Sequence, residues 1–524
     1  MSRDVSGHDD LDGGVARPVS GSVPVALLLA LVAGVGVLGI NHSRLTPGVH
    51  GDSVEYLAAA ESFQADGTLS IPITHWSRAD SVAELSHFPP GYSVGLSGAM
   101  RLGLAPQAAA LWVTAFSAAV VAGGITLLVL PFGLVSSVLS VGAILSTPVF
   151  ARLHLAIWSE PLFMAITVLL LLALVRRPRA SWLHGLLAAA ALAVRYVGVA
   201  GTLAVVLMGG LRGRTPRERV AAMVQGGLPS VFFLLWWRLR VDSAGEMIRD
   251  FGFQAGLDRT RTQLAGLLAE WPMPGGVGGG TWLGIAALVF GTGLVWRVSR
   301  EAAWREEARK RVLHGTAVYI GCYLSAVVLS RLFADPRIPF DARIFFPVLM
   351  LATILVTLAA AEVARTRGRA GWIVLGLIAG GWWLASVAEV RQGVRAVNQY
   401  GIYFTSVGWA DDAVLRWVVD RSAPYATVYS NEPAMIYFLT GRHAKSLPRE
   451  GEDVDAFARQ LARLPGPVVF IAPPHVDDVA PPLLVERAQL QRVVGSGSAV
   501  LFLPAGSPAT PGIPDERPQP FRRP

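Results

Sequence analysis

VPVALLLALVAGVGVLGI, residues 23–40, decides the fold, because it is a long apolar run without a single charge. About 20 such residues, each rising ~1.5 Å along a helix, cross the ~30 Å hydrocarbon core of a bilayer. The polar tail before it, 1–22, carries Asp4, Asp9, Asp10 and Asp12 and lacks the basic start of a signal peptide. We therefore interpret residues 23–40 as a retained membrane anchor and residues 1–22 as a disordered cytoplasmic tail.

The composition excludes two other classes of protein. Of the 524 residues, 52% are hydrophobic and 16% are charged, and the mean hydropathy is +0.47, which is too apolar for a soluble enzyme of this length. The net charge of +8 comes from short basic clusters between apolar runs, so no nucleic-acid partner is expected. A single cysteine, Cys322, excludes an intrachain disulfide and a cysteine-based metal site.

Arginine-rich connectors set the predicted topology. They lie at 176–179, 212–219, 297–311 and 365–369, and the positive-inside rule places all four in the cytoplasm. The apolar runs that fit these connectors are 23–40, 107–130, 133–150, 161–175, 182–194, 197–208, 220–237, 282–296, 316–332, 344–361 and 371–390. The sequence thus predicts a polytopic α-helical membrane protein with about 11 transmembrane helices in the bacterial inner membrane, its N-terminus cytoplasmic and its C-terminal region outside.

Three outer regions are too long to be simple turns: 41–106, 241–281 and the chain after Arg391. Long loops in compact proteins usually carry function, and 241–281 is a candidate roof over an outer site. Residues 391–505 alternate strand-like and helix-like pieces, which predicts a small α/β domain outside the membrane. The Pro-rich tail 506–524 is expected to be disordered.

Several ionisable residues fall at the outer ends of spans, where they are functional candidates because charge is expensive in hydrocarbon. Asp52 heads an amphipathic helix with Tyr56 shortly after the first span. The same loop ends in HFPPGY, where His87 and Tyr92 flank a turn made by two prolines and a glycine.

A second acid and two arginines complete the candidate set. Glu160 begins the fourth span, where Ser159 is expected to cap the helix and the helix dipole favours a carboxylate. Arg195, at the tip of a predicted hairpin, and Arg343, in DARIFFP, suit a phosphate. A bland interpretation stays open for each: a helix-start or solvated acid for Glu160 and Asp52, and snorkelling to the interface for the arginines.

Taken in order, these motifs resemble the membrane glycosyltransferases of the GT-C superfamily, especially family 39 and Rgt-like members, which use polyprenyl-phosphate sugars. The resemblance covers roughly 23–349. It rests on Asp52 with Tyr56, the turn HFPPGY, the start SEPLF with Glu160, the tip Arg195-Tyr196, and the run of Asp341, Arg343 and Pro347. One departure is Ile344, which stands where the family usually has a tyrosine, and Asp335 competes with Asp341 as the acid of that segment.

The resemblance implies transfer of a sugar from a polyprenyl-phosphate donor to a glycan, lipid or protein acceptor on the outer face. Asp52 would be the general base, Glu160 would orient the acceptor, an arginine or a divalent cation, and Arg343 and Arg195 would bind the donor phosphate. Tyr56, His87, Tyr92 and Asp341 would shape the cavity. A transporter or flippase, or an inactive homologue, is the alternative, although transporters usually place their acids in mid-span.

Overall fold

The structure is a computed structural model, and it describes residues 22–213, 215–240, 307–333, 341–422, 427–449, 452–471 and 481–504. The expectations for the two terminal tails, the loop 241–281, the span 282–296 and Asp335 lie outside the described residues.

A bundle of apolar helices forms the larger part of the described chain. Its helices are α1 (Ser22–Ile40), α4 (Pro106–Val129), α5 (Leu134–Leu145), α6 (Pro148–His154), α7 (Glu160–Arg176), α8 (Ser181–Val194), α9 (Val199–Arg212), α10 (Pro216–Arg240), α11 (Glu307–Phe333), α12 (Ala342–Thr366) and α13 (Gly368–Tyr400). Within the described ranges, each predicted span coincides with helix, and the third is broken by a bend of 64° between α5 and α6. Six described helices are individually long and apolar enough to cross a membrane. The predicted polytopic α-helical fold class is confirmed.

The outer surface of this bundle is apolar, as lipid contact requires. Leu27 and Leu31 on α1 are 66% and 62% exposed, and Leu377 on α13 is 72% exposed. Exposed apolar faces of this extent are rare on soluble monomers. The opposite side of α1 buries small residues against α4, so backbones approach closely.

Three of the arginine connectors gather at one end of the bundle. Arg176 donates to the carbonyl of Leu127 (2.7 Å), and Arg212 donates to that of Leu174 (3.0 Å). Arg309 donates to the carbonyl of Pro131 at 2.9 Å. We call this the arginine end; α7 and α12 begin at the opposite end, which we call the site end.

The region between α1 and α4, residues 41–105, folds over the site end, and we call it the first loop. It forms α2 (Gly51–Ala65), a small hairpin of β1 (Ser70–Ile71) and β3 (Ala83–Glu84), the two-residue strand β2 (Ile73–Thr74) and the short helix α3 (Gly91–Met100). Gly91 starts α3 and packs its backbone against α8: an added Cβ would lie 2.6 Å from the carbonyl oxygen of Ala193. Close backbone approach is therefore a reason for glycine in HFPPGY.

The C-terminal region is a small α/β unit, as predicted. Its elements are α14 (Ala413–Arg421), β4 (Val428–Ser430), α15 (Pro433–Thr440), β5 (Ala444–Ser446), α16 (Val454–Arg463), β6 (Val468–Ile471), α17 (Pro481–Arg487), β7 (Leu490–Gly495) and β8 (Ala499–Pro504). The strand order is β2-β5-β4-β6-β8-β7, parallel up to β6 and antiparallel beyond it.

One strand of this sheet comes from the first loop, which the sequence does not predict. Ile73 and Thr74 of β2 pair in parallel with Ala444 and Lys445 of β5. Next to this edge, Trp76 Nε1 donates to the carboxylate of Glu452 at 2.7 Å. The loop that carries Asp52 is thereby fixed to the C-terminal sheet.

Candidate active site

Three short parallel segments organise the site end: those around Gly48–Val49, Ala156 and Tyr403. We call them the ladder. Gly48 donates to the carbonyl of Leu155 (2.8 Å) and accepts from Ile157 (2.9 Å). On the other side, Phe404 donates to the carbonyl of Val49 at 2.9 Å. An added Cβ on Gly48 would collide with the side chain of Ile402, so a larger residue there would force Ile402 to move. Three regions distant in sequence are thus held side by side.

Both candidate acids leave this ladder at the start of a helix. Asp52 lies in the first turn of α2, and Glu160 is the first residue of α7. The amino end of a helix stabilises a carboxylate through the backbone dipole and its unpaired N–H groups. Ser53 fixes α2 to the ladder, because its hydroxyl donates to the carbonyl of Ile157 at 2.6 Å.

Ser159 does not cap α7, contrary to the sequence prediction. Its side chain makes no capping hydrogen bond. Instead its hydroxyl accepts from Arg195 Nη1 at 3.0 Å and lies 3.2 Å from the hydroxyl of Tyr56. The residue therefore connects an arginine and a tyrosine of two other segments.

The two acids and two arginines form one cluster, which we call the charge cluster: Asp52, Glu160, Arg195 and Arg343. Arg343 contacts Asp52 Oδ2 at 3.2 Å and Glu160 Oε1 at 3.1 Å. Arg195 contacts the same Oε1 of Glu160 at 2.7 Å. Glu160 Oε1 satisfies hydrogen-bond angles with neither guanidinium, so these contacts are ion pairs by distance.

Burial makes the charge cluster energetically demanding. The Glu160 side chain is 3% exposed and those of Asp52, Arg195 and Arg343 are 19–23% exposed. Each ion loses several kcal/mol of solvation in such surroundings unless it is paired. The formal charges balance, two negative and two positive, and the arginines are engaged with acids rather than exposed at an interface.

Asp52 is held in its charged form. Burial alone would raise its pKa, but the imidazole of His50, 3.6 Å from the carboxylate, and the positive charge of Arg343 outweigh burial, and the pKa lies well below its usual range. Asp52 is therefore a carboxylate at neutral pH and can accept a proton once the arginine's charge is neutralised by another anion.

A cavity of about 300 Å³ opens beside the charge cluster. Its lining is His50, Val149, Arg152, Leu153, Trp158, Asp341, Ala342, Arg343 and Tyr403. This volume is at the lower end of the ~300–1,000 Å³ typical of ligand pockets. The guanidinium of Arg343 lies over the ring of Trp158, 5.2 Å from its centroid, which holds the arginine at the cavity wall.

Of the four residues predicted to shape the cavity, Asp341 lines it and the other three do not. Asp341 lines the cavity, and its carboxylate caps α12 by accepting from the backbone N–H of Ile344 at 2.9 Å. Tyr56 and Tyr92 are buried and pack edge to face, 5.0 Å apart, behind the charge cluster. His87 is exposed and packs on Phe88. These last three residues are not part of the cavity lining.

Four polar or aromatic lining residues were not predicted from the sequence: His50, Arg152, Trp158 and Tyr403. His50 and Trp158 stand two residues before the acids, so adjacency was an available signal. Arg152 lies six residues before Trp158 in an apolar stretch, and Tyr403 comes from beyond the last span. Neither carries a local pattern that distinguishes it from a surface residue.

A divalent cation held by Asp52 and Glu160 stays a prediction. Among the described residues, no group of three His, Cys, Asp or Glu side chains comes close enough to hold a metal ion. Asp52 and Glu160, the two acids proposed as ligands, both lie within ion-pair distance of Arg343. Both acids are thus engaged with a guanidinium, whose positive charge would repel a metal ion bound between them.

The fold has known counterparts. No family model and no curated protein matches the sequence. ArnT from Cupriavidus metallidurans bound to undecaprenyl phosphate is similar in structure, with a TM-score of 0.54, 14% identity, and coverage of 94% of this chain and 100% of that one. Its apo state gives a TM-score of 0.56 at 14% identity, covering 92% and 98%. The oligosaccharyltransferase of Archaeoglobus fulgidus gives 0.51 at 12% identity, covering 86% and 69%.

These neighbours define the class of fold. They belong to the GT-C superfamily, and the similarity extends over nearly all of this chain. The chain therefore has the GT-C fold, as the sequence motifs predicted.

Proposed function

We propose that this protein is a membrane glycosyltransferase that moves a sugar from a polyprenyl-phosphate donor to an acceptor hydroxyl on the outer face. The observation that carries the proposal is the charge cluster itself: two acids and two arginines from four separate segments meet beside a cavity. Buried charge of this kind has little value for stability, which favours a catalytic purpose.

The reaction needs a base and a partner for phosphate. The acceptor oxygen attacks the anomeric carbon of the sugar, its proton passes to a base, and the bond from that carbon to the phosphate oxygen breaks. Asp52 has the charge state of such a base, and Arg343 the chemistry to bind the departing phosphate. Because Arg343 also pairs with Asp52 (3.2 Å), a phosphate bound to it would weaken that pair and make Asp52 more basic.

The other charged residues have supporting roles in this proposal. Arg195 contacts Glu160 at 2.7 Å and donates to the hydroxyl of Ser159 at 3.0 Å, so it positions Glu160 rather than the donor. Glu160 in turn orients Arg343. Arg152 is exposed at the cavity and supplies a further positive charge for the phosphate.

A lipid-linked donor is favoured by two considerations. The cavity lies beside helices with lipid-facing apolar surfaces, so a polyprenyl tail can stay in the bilayer while its phosphate reaches Arg343. A neighbour with the same fold, ArnT of Cupriavidus metallidurans, was crystallised with undecaprenyl phosphate. The acceptor is a glycan, lipid or protein of the cell envelope, and the C-terminal unit is proposed to lie outside the membrane with it.

The test is transfer of labelled sugar from polyprenyl-phosphate donors into envelope acceptors, comparing wild type with Asp52→Asn at equal membrane levels. We expect Asp52→Asn to lose about 10²–10⁴-fold in rate, the usual contribution of a general base. Glu61→Gln is the matched control, because Glu61 is an exposed acid on the same helix. Equal rates for wild type and Asp52→Asn would show that Asp52 is not the base. No transfer by wild type from any donor would favour a transporter or an inactive homologue.

A further inference from the structure

Tyr403 lies at the junction between α13 and the C-terminal unit. Gly401 ends α13 with a positive φ of 70°, and two residues later the chain forms the third segment of the ladder, with Tyr403 bridged to Val49. The backbone on both sides is fixed, because Phe404 donates to Val49 and Ser406 donates to the carbonyl of Tyr403 at 3.2 Å.

The backbone of Tyr403 is strained. Its φ is +52°, in the left-handed region that few residues other than glycine adopt. Such strain persists where the surrounding structure enforces it, often at functional sites. The result is that a bulky ring lines the cavity where glycine or asparagine would relieve the backbone.

The ring of Tyr403 completes an aromatic wall. It packs edge to face on His50, with centroids 5.1 Å apart, and lies 6.0 Å from the ring of Trp158. Trp158 also carries the guanidinium of Arg343. Tyr403 is still 40% exposed, so much of its surface is available to a ligand. The cavity thus presents aromatic carbon next to the cation proposed to bind phosphate.

This combination suits a sugar attached to a phosphate. A pyranose or furanose ring has a C–H face that packs on an aromatic ring and a rim of hydroxyls that bonds to polar groups, and tyrosine offers both surfaces. A sugar whose phosphate is bound by Arg343 has to lie within a few bonds of that guanidinium, which is within this cavity. We propose, on the basis of the proposed function, that Tyr403 is the residue that recognises the donor sugar by stacking on it.

Sugar recognition by Tyr403 would give a specific task to the segment that follows α13. Arg343 and Arg152 would bind the phosphate whatever the sugar is, whereas Tyr403 would contact only the sugar. Recognition of the sugar would then depend on the segment after α13, and removal of the ring would change sugar preference without changing affinity for the bare lipid.

The experiment compares dissociation constants of the full-length protein for undecaprenyl phosphate and for undecaprenyl phosphates that carry mannose, arabinose, galactose or galacturonic acid. The variant Tyr403→Asn removes the ring but keeps a residue that accepts the left-handed backbone, so the fold is preserved. Tyr403→Phe retains the ring. Tyr400→Asn is the control, since Tyr400 is exposed, lies in the last turn of α13 and is not part of the cavity lining.

We expect wild type to bind one sugar-bearing lipid more tightly than the bare lipid, and Tyr403→Asn to lose about tenfold of that preference. Affinity for the bare lipid should stay within about twofold, and Tyr403→Phe and Tyr400→Asn should resemble wild type. The inference is overturned if Tyr403→Asn keeps the preference, if it weakens bare and sugar-bearing lipids equally, or if wild type has no preference. If wild type neither binds these lipids nor transfers from them, the proposed function fails as well; if it transfers and Tyr403→Asn keeps the preference, only this inference fails.

Discussion

The two ends of the helical bundle use arginine in opposite ways. At the arginine end, Arg176, Arg212 and Arg309 donate to backbone carbonyls near the ends of helices. At the site end, Arg195 and Arg343 contact carboxylates that lie far from them in sequence. Cations beside helix C-termini satisfy unpaired carbonyls and the helix dipole, which is a local and inexpensive arrangement. Buried pairs between distant segments require the whole fold.

Charges that neither topology nor helix chemistry requires are the ones to regard as functional. Arginine near a helix C-terminus follows from topology and helix chemistry alone. Asp52 and Glu160, in contrast, pair with arginines of other segments. Topology does not need these carboxylates, and their desolvation opposes folding.

The largest effect is expected for Glu160→Gln. The change leaves Arg195 without its carboxylate inside the bundle, and removing one partner of a buried pair costs about 3–5 kcal/mol of unfolding free energy. Thermal unfolding of the purified protein in detergent measures the loss. The double variant Glu160→Gln with Arg195→Gln should be less destabilised than the sum of the two single variants, by about 0.5–3 kcal/mol. Strict additivity would show that the pair is not energetically coupled.

A pH effect at the site end is expected from Glu55. Burial, followed by the negative charge of Asp52, raises the pKa of Glu55 to about 8 from 4.5. Between these two values the unfolded chain has released the proton and the folded protein still holds it, so stability falls as pH rises through this window, by at most ~1.4 kcal/mol per pH unit.

Glu55→Gln should remove that part of the pH dependence. The measurement is the melting temperature of wild type and variant from pH 5 to 9, and the variant should gain on wild type as pH rises. Parallel curves would mean that Glu55 ionises normally in the folded protein.

A smaller effect is expected for Arg152→Gln. The exposed guanidinium should leave the fold intact, and its loss should weaken binding of undecaprenyl phosphate about tenfold by removing a charged hydrogen-bond partner. Sugar preference should not change, which separates this residue from Tyr403. Unaltered affinity for the bare lipid would remove Arg152 from the phosphate site.

The smallest effect is expected at the arginine end. Arg176→Gln removes a contact to one carbonyl, so the unfolding free energy should fall by no more than about 1 kcal/mol and transfer should be unaffected. Melting temperature and transfer rate in the same preparation provide the check. A loss as large as that of Glu160→Gln would contradict the distinction between the two ends.

Hydropathy predicted the spans because each is a local property of about 20 consecutive residues. Asp52, Glu160, Arg195 and Arg343 were also recognised, since each stands at the end of a span in a recognisable motif. Their meeting in one cluster, however, depends on packing between segments that the sequence does not reveal.

The missed features all depend on long-range pairing. β2 has two residues, too few for any periodicity, and becomes a strand only because β5 lies beside it. Tyr403 reaches the cavity through its bridge to Val49. Ser159 had the residue type and position of a cap, but its hydroxyl accepts from Arg195 and lies 3.2 Å from that of Tyr56 instead. The resemblance assigned Tyr56, His87 and Tyr92 to the cavity, and none of these three residues is part of the lining described above.

The bridge from Tyr403 to Val49 and the pairing of β2 with β5 also set an order of events during synthesis. When the ribosome has added residue 400, all residues of the bundle helices have been synthesised, yet the loop with Asp52 still lacks both of its late partners. The acid is thus among the first functional groups to be made and among the last to be enclosed. A nascent chain interrupted at that point would be a membrane protein with an unfinished cavity, so activity would appear only when translation is nearly complete.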